Sequence, residues 1–472
     1  MTMKMDERRY RRATNAREVA MHLILSVNQG GAYANLAIAD FVRETKLTDI
    51  DRRFTTELVY GTIKAKLSLE WVLKRYLPRP DKLAPVVWTI LQLGAYQLLY
   101  LQKVPPSAAC NESVALAKKY AHAAAARLVN AVLRKTAAER ETLPWPEVGT
   151  AADPAEAISI VTSHPLWLVR RWIAQIGLEQ TEALCRLDNE TPPLSFRVNE
   201  SRMTRESVLA VLNDGYGQFH PSSLVSDGIT CSELNASLTN LPLLQQGVLQ
   251  IQDEASMLVA HVVAPEKDDR ILDVCSAPGG KTTHMASLLQ GTGCVTALDI
   301  HPHKVQLVAE NARRQQLTNV EVYAMDARAL PSEWREKFDC VLVDAPCSGL
   351  GVLRRKADAR WNKTETEIDQ LPALQLAILT QAAAMVVAGG KLIYSTCTTE
   401  PHENQDVVLA FLQEHSEFSL DVIAHPGGRA KEAPWLQLWP HLDGTDGFFI
   451  ARLTKKRADG STAVQPATTA KV

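Results

Sequence analysis

At 472 residues the chain exceeds the size at which one hydrophobic core usually stops growing, so two or three domains are expected from an ordinary apolar fraction of 46%. No stretch approaches the roughly 20 uncharged apolar residues of a membrane span, and Lys4, Arg8, Arg9, Arg11 and Arg12 beside Asp6 and Glu7 are unlike a signal peptide, so a cytoplasmic protein is expected. The net charge of −2 hides a segregation, because residues 1–150 hold 23 Lys and Arg against 14 Asp and Glu.

In chain order, apolar residues recur at helical spacing from Ala13 to Val27 and from Arg53 to Leu77, then through Leu91, Leu93, Tyr96, Leu98 and Leu99, and from Val114 to Leu133. This predicts an all-α bundle over 1–150, punctuated by prolines 78, 80, 85, 105 and 106 and ended by Leu143-Pro144-Trp145-Pro146. Its basic balance suits contact with nucleic-acid phosphates, and equally a solvated helical surface. Residues 151–250 read as a small α+β module. His164-Pro165-Leu166-Trp167 opens a short helix, Leu194 to Asn199 is strand-like, and Arg205 to Asn213 is helical before further short strands.

After Gln252-Asp253-Glu254-Ala255-Ser256, strand–helix alternation predicts a parallel sheet covered on both faces, a Rossmann-like α/β domain over 251–455. Its strands end at Val274, Leu298, Val322, Val343 and Tyr394, and Asp446 to Arg452 reads as a late antiparallel strand. Residues 456–472 read as a disordered tail, since Ala458 to Val472 contain no large apolar residue except Val.

Ligands of open α/β sheets gather at the carboxyl ends of the strands. There the chain places Cys275-Ser276-Ala277-Pro278-Gly279-Gly280-Lys281, whose glycines allow close backbone approach and whose following helix offers unpaired N–H groups to a carboxylate. Asp299 ends the second strand, where an acid can accept both hydroxyls of a ribose, and Asp326 repeats the pattern after the third; each also has the simpler reading of a helix cap. Gly-x-Gly-x-x-Gly is absent, which disfavours a nicotinamide cofactor, and the twelve histidines form no ligand spacing, so no metal is expected. Two thiols share the strand-end position, in Asp344-Ala345-Pro346-Cys347 and Ser395-Thr396-Cys397. The eight cysteines include no Cys-x-x-Cys pair, so they are expected reduced; Cys110, Cys185, Cys231, Cys294 and Cys340 read as small buried hydrophobes. Gly349 to Lys356 reads either as a flexible, cationic lip for a nucleic-acid strand or as an ordinary solvated loop.

The Cys275–Lys281 loop, the Asp-Ala-Pro-Cys segment and the Ser-Thr-Cys segment together resemble the RNA cytosine-5 methyltransferases that use S-adenosylmethionine, over about Gln252 to Leu453. Asp51-Arg52-Arg53-Phe54, Glu57 to Gly61, Val104-Pro105-Pro106-Ser107 and Asn130 to Arg134 extend the resemblance to a subfamily with a NusB-like helical domain that modifies 16S ribosomal RNA. The resemblance implies an RRM-like middle module, although no aromatic RNP motif is present. It implies that S-adenosylmethionine, leaving as S-adenosylhomocysteine, is held by Cys275 to Lys281, Asp299, Asp326 and Asp344. It makes Cys397 the nucleophile and Cys347 the thiol that assists release, with Asp344 against the pyrimidine and Lys281 keeping the site electropositive. The expected partner is 16S rRNA, at cytosine 967 by subfamily resemblance, for a monomer with no DNA or membrane partner. The same chemistry on transfer RNA or another rRNA site, and a non-catalytic assembly factor, are the competing readings.

Overall fold

The computed structural model describes residues 15–30, 38, 47–77, 79–428 and 433–457. The basic start of the chain and the tail from Ala458 onward lie outside the described residues. Two compact units result: residues 1–191 with 353–365, and residues 192–352 with 366–472.

The first unit is helical. Helices Ala16–Gly30, Asp49–Lys64, Lys66–Lys74, Pro85–Tyr100, Pro106–Tyr120 and Ala123–Glu139 follow the apolar periodicity, with prolines at the first position of two of them, where a missing N–H costs nothing. Pro85–Tyr100 is buried nearly all round, so its packing and not its amphipathicity holds it at the centre. Helices Pro154–Thr162, Leu166–Ile176 and Leu178–Leu187 belong to this unit as well, although 151–250 reads as one module in the sequence. The reason is local: Ser68 Oγ donates to the Ile160 carbonyl at 2.5 Å, and Leu67 N to Ser163 Oγ at 2.9 Å. Residues 353–365 return to the same unit, with Ala357 and Trp361 packed in its core and Arg360 fully buried.

The second unit holds two sheets. β1 (Leu194–Val198), β2 (Gly217–Pro221), β3 (Gly228–Leu234) and β4 (Leu249–Ile251) form an antiparallel sheet in the order β2-β3-β1-β4, backed by helix Arg205–Asn213. The larger sheet contains β5 (Arg270–Asp273), β6 (Cys294–Asp299), β7 (Val320–Ala324), β8 (Phe338–Asp344), β9 (Val386–Thr396), β10 (Phe418–Leu420), β11 (Leu436–Leu438) and β12 (Phe448–Lys455). Its order is β10-β12-β9-β8-β5-β6-β7, with β5 to β9 parallel and β12 antiparallel to β9. Residues alternate between two cores, as a pleated strand requires: Val341, Val343 and Tyr394 face helices Leu371–Ala383 and Gln405–Glu414, while Cys340, Leu342 and Ile393 face helices Glu254–Val263 and Gly280–Leu288. The chain runs outward from β5 through β6 and β7, then returns to lay β8 and β9 on the other side of β5. At that reversal the loops after β5, β8 and β9 meet at the strand ends, the place where open α/β sheets take their ligands.

Candidate active site

The loop after β5 is built to approach a ligand. Gly279 has φ +101°, a conformation open to glycine, and no side chain caps helix Gly280–Leu288. Ser276 ties the loop to the Leu298 carbonyl through both its N–H at 2.7 Å and its hydroxyl at 2.8 Å, and Asn311 Nδ2 holds the Pro278 carbonyl at 2.9 Å. Arg197 of β1 adds the strongest restraint. Fully buried, it donates to the Gly280 carbonyl at 2.6 Å, to Gln252 Oε1 at 2.7 Å, to Gln315 Oε1 at 2.8 Å and to Thr283 Oγ1 at 3.1 Å. In sequence Arg197 is one residue of a short strand, with nothing to mark it as a brace.

Carboxylates gather around the same loop. Asp273, Asp344, Asp299 and Asp326 all bear on Cys275, and with burial as the first cause they push its thiol well above the usual range. Asp299 Oδ1 accepts from the His301 N–H at 2.9 Å, and Asp326 takes a forked pair from Arg328, at 2.7 Å to Nη2. Asp273 was not singled out in the sequence, because it closes an apolar strand. It is buried, accepts from Thr282 Oγ1 at 2.7 Å through one oxygen, and has no partner for the other among the described residues. Burial, and secondarily the Asp344 charge, raise its carboxyl to about 7.

The two thiols meet. Cys347 Sγ lies 3.3 Å from Cys397 Sγ, although the residues are 50 apart in sequence. The Cys397 bond and burial, with the charges of Cys397, Glu403 and Asp344, push the Cys347 thiol well up. Lys281 Nζ pairs with Asp344 Oδ2 at 2.8 Å, while Ser395 Oγ donates to Asp344 Oδ1 at 2.9 Å. Burial alone would lower the Lys281 pKa, but Asp344, and after it Cys397 and Asp273, raise it, so the ammonium is retained beside the sulfurs. It is a paired cation rather than a free source of positive potential.

The segment after Cys347 departs from the cationic lip. Gly351 donates its N–H to the Cys397 carbonyl at 3.0 Å and accepts from Gly447 N at 2.8 Å; a Cβ on Gly351 would come within 2.1 Å of the Gly447 oxygen. Arg354 is buried and donates to the Thr191 carbonyl at 3.1 Å, and Lys356 is the exposed member of the three cations. The turn is thus packed structure, with its arginine committed to the helical unit's own fold.

Asp227, His261 and His284 form a cluster the sequence spacing concealed, their ligand-capable atoms all within 4.8 Å of one another. Each imidazole Nε2 faces a different oxygen of Asp227, at 2.8 Å for His261 and 2.6 Å for His284. Burial alone would raise the Asp227 carboxyl, yet the two imidazoles hold it well below the usual range. The nearby Arg197 charge lowers the His284 pKa further, and the two imidazole contacts tie the loop before β3 to helices Glu254–Val263 and Gly280–Leu288.

Comparison with known proteins agrees with this architecture. Residues 260–454 match the family model described as 16S rRNA methyltransferase RsmB/F, residues 14–138 the NusB family, and residues 164–235 the ferredoxin-like domain of RsmF/B-like methyltransferases. The chain is 39% identical over 449 residues to the probable ribosomal RNA small subunit methyltransferase B of Bacillus subtilis, covering 94% of this chain and 99% of the relative. It is 34% identical to the ribosomal RNA small subunit methyltransferase B of Pseudomonas putida, over 93% and 98% of the two chains. The crystal structure of PH0851 superposes with a TM-score of 0.78 at 24% identity, over 94% and 99% of the chains, a likeness of fold.

Proposed function

Because the chain belongs to the 16S rRNA methyltransferase RsmB/F family, we propose that it transfers the methyl group of S-adenosylmethionine to carbon 5 of a cytosine in 16S ribosomal RNA through a covalent thiol adduct. Carbon 5 of cytosine is too electron-poor to attack a sulfonium methyl directly. The Cys397 thiolate adds to carbon 6 and converts the ring to an enamine; carbon 5 then takes the methyl group and S-adenosylhomocysteine leaves. A base removes the carbon-5 proton, the carbon–sulfur bond breaks, and the Cys397 thiolate is restored. In this reading Cys347 assists the release and Asp344 faces the pyrimidine. The Cys275–Lys281 loop, with Asp299 and Asp326, holds the cofactor's amino-acid and adenosine ends. The observation that carries the reading is the 3.3 Å separation of two thiols at adjacent strand ends, beside the Lys281–Asp344 pair. The target by subfamily resemblance is cytosine 967.

The thiols act at opposite ends of one cycle, so their variants fail differently. Cys397→Ala is expected to bind RNA and cofactor but transfer no methyl group and form no adduct. Cys347→Ala is expected to methylate once and stall, giving protein joined to RNA as a slow band on a denaturing gel. An adduct that persists in Cys397→Ala and is lost in Cys347→Ala reverses the two roles; full turnover by both variants overturns the mechanism. Mapping 5-methylcytosine in 16S rRNA with and without the gene tests the substrate and its position.

A further inference from the structure

Beneath the two thiols lies a carboxylate to which neither the sequence reading nor the proposed chemistry gives a part. Glu403 ends the short turn Pro401–Glu403 and is completely buried. Its Oε2 accepts from the Ser348 N–H at 2.8 Å and from Gln375 Nε2 at 2.9 Å; its Oε1 accepts from the Ser348 hydroxyl and from Thr398 Oγ1 at 3.3 Å. Ser348 follows Cys347 and Thr398 follows Cys397, and the two hydroxyls also meet each other at 2.7 Å. The residues before the thiols are tied to the same cluster. Gln375 Nε2 reaches the Pro346 carbonyl at 3.0 Å, and Asn404, next to Glu403, accepts from Thr396 Oγ1 at 2.5 Å while donating to the Thr398 carbonyl at 3.0 Å. The Glu403 carbonyl is itself fixed by the Tyr394 hydroxyl at 2.6 Å.

All these partners of the carboxylate are neutral. A fully buried carboxylate without a cation against it is costly to keep, and two well-packed apolar side chains would link the loops at less cost. Its position accounts for it: one rigid group with two oxygens spans the two loops and fixes the flank of each sulfur.

We propose that Glu403 is a positioning residue that clamps the Cys347 and Cys397 loops together and so sets the separation and orientation of the two thiols. The proposal rests on the reading that these thiols carry out the methyl transfer. The charge works with the geometry. The groups bearing on Cys347 are Cys397, Glu403 and Asp344, the last paired with Lys281, and the Glu403 charge disfavours a thiolate at Cys347.

The test is Glu403→Gln in the full chain. An amide has the size of the carboxylate but puts an N–H group where an acceptor is needed. Cofactor calorimetry and thermal unfolding establish that the variant is folded. Iodoacetamide labelling across pH, read at each cysteine by peptide mass spectrometry, is expected to show Cys347 alkylated at lower pH, by about one unit or roughly ten-fold in rate at fixed pH. The kcat for methyl transfer is expected to fall about ten-fold or more, with KM for RNA little changed. A purely structural role would leave the labelling profile where it was. If Glu403→Gln does not fold, Ser348→Ala, which removes one hydroxyl and leaves the carboxylate with its charge, is expected to lower kcat by less while the Cys347 labelling pH stays where it was or rises. Labelling profiles and kcat within two-fold of the parent, in whichever variant folds, overturn the proposal. Labelling requires no turnover, so it reports on Glu403 even if Cys397→Ala shows the reaction assignment to be wrong.

Discussion

Arg360 in the helical unit and Glu403 in the sheet unit are both fully buried charged side chains, and they differ in what surrounds them. Arg360 donates to the Ser163 carbonyl at 3.1 Å, to Asn189 Oδ1 at 2.9 Å and to the Asp188 carbonyl at 3.3 Å, groups whose part is to hold chain against chain. The nearby thiol, Cys185, is itself buried and pushed up by that burial, so it is inert. Glu403 sits among the residues flanking two thiols that are only partly buried. A buried charge alone is therefore no sign of chemistry; the reactivity and access of its neighbours decide.

Breaking the first half of the comparison should give the largest effect on stability. Arg360→Met removes the cation but leaves its polar partners buried, which should cost on the order of 3–5 kcal/mol. For a unit of this size that corresponds to a fall in Tm on the order of 10 °C, measured by calorimetry. Cofactor affinity should stay within about two-fold. A variant as stable as the parent would make Arg360 dispensable and remove the contrast with Glu403.

The same two residues show where the sequence is legible. Helices with a 3.6-residue stripe and strands ending in reactive or acidic residues announce themselves locally, so the bundle, the succession of β5 to β9 along the chain, the antiparallel β12 and the meeting of Cys347 with Cys397 could all be read. Arg197, Asp273, Gln375, Glu403 and Arg360 could not. Each is a polar residue inside an ordinary helix, strand or turn, and its importance comes from partners as far away as Gln315 from Arg197, 118 residues along the chain. The cationic lip failed for the same reason, since burial of Arg354 is decided by packing and not by composition.

Each unit also contains a buried histidine, which sharpens the comparison through pH. Burial, and for His164 next the Arg360 charge, lowers both His164 and His284 to about 4. An unfolded histidine takes up its proton near 6.5, so between pH 6.5 and 4 the unfolded chain binds more protons and stability falls with acidification. The slope should reach about 1.4 kcal/mol per pH unit for each histidine. Denaturant unfolding at pH 7.5 and 5 should show the loss, and His164→Gln should reduce it for the helical unit alone. An equal reduction in both units would mean that the two histidines are not independent.

In the sheet unit the cofactor carboxylates should matter for binding and little for stability. Asp299 is partly exposed and spends one oxygen on its own loop. Asp299→Ala should weaken S-adenosylmethionine by roughly ten-fold to a hundred-fold, the loss of about 1.5–3 kcal/mol from one charge-assisted hydrogen bond, with Tm little altered. Calorimetry giving unchanged cofactor affinity would remove Asp299 from the site.

The smallest expected effect separates the basic surface of the helical unit from its core. Removing residues 1–150 would not isolate it, because Ala357 and Trp361 pack into the same core and would be uncovered. Arg127 and Arg134 offer a cleaner change. Both are exposed on helix Ala123–Glu139, seven residues apart and so on one face, with Arg134 held by Asn130 Oδ1 at 2.9 Å. If that face meets RNA phosphates, replacing both by Gln should lower RNA affinity. It should also reduce the slope of log K against log salt by roughly 0.7 per lost contact, the value for single strands. Cofactor binding should not change, since neither side chain belongs to the sheet unit. An unaltered salt slope would mean that the charge of this helix is ordinary solvated surface, and that the RNA is gripped by residues of the sheet unit instead.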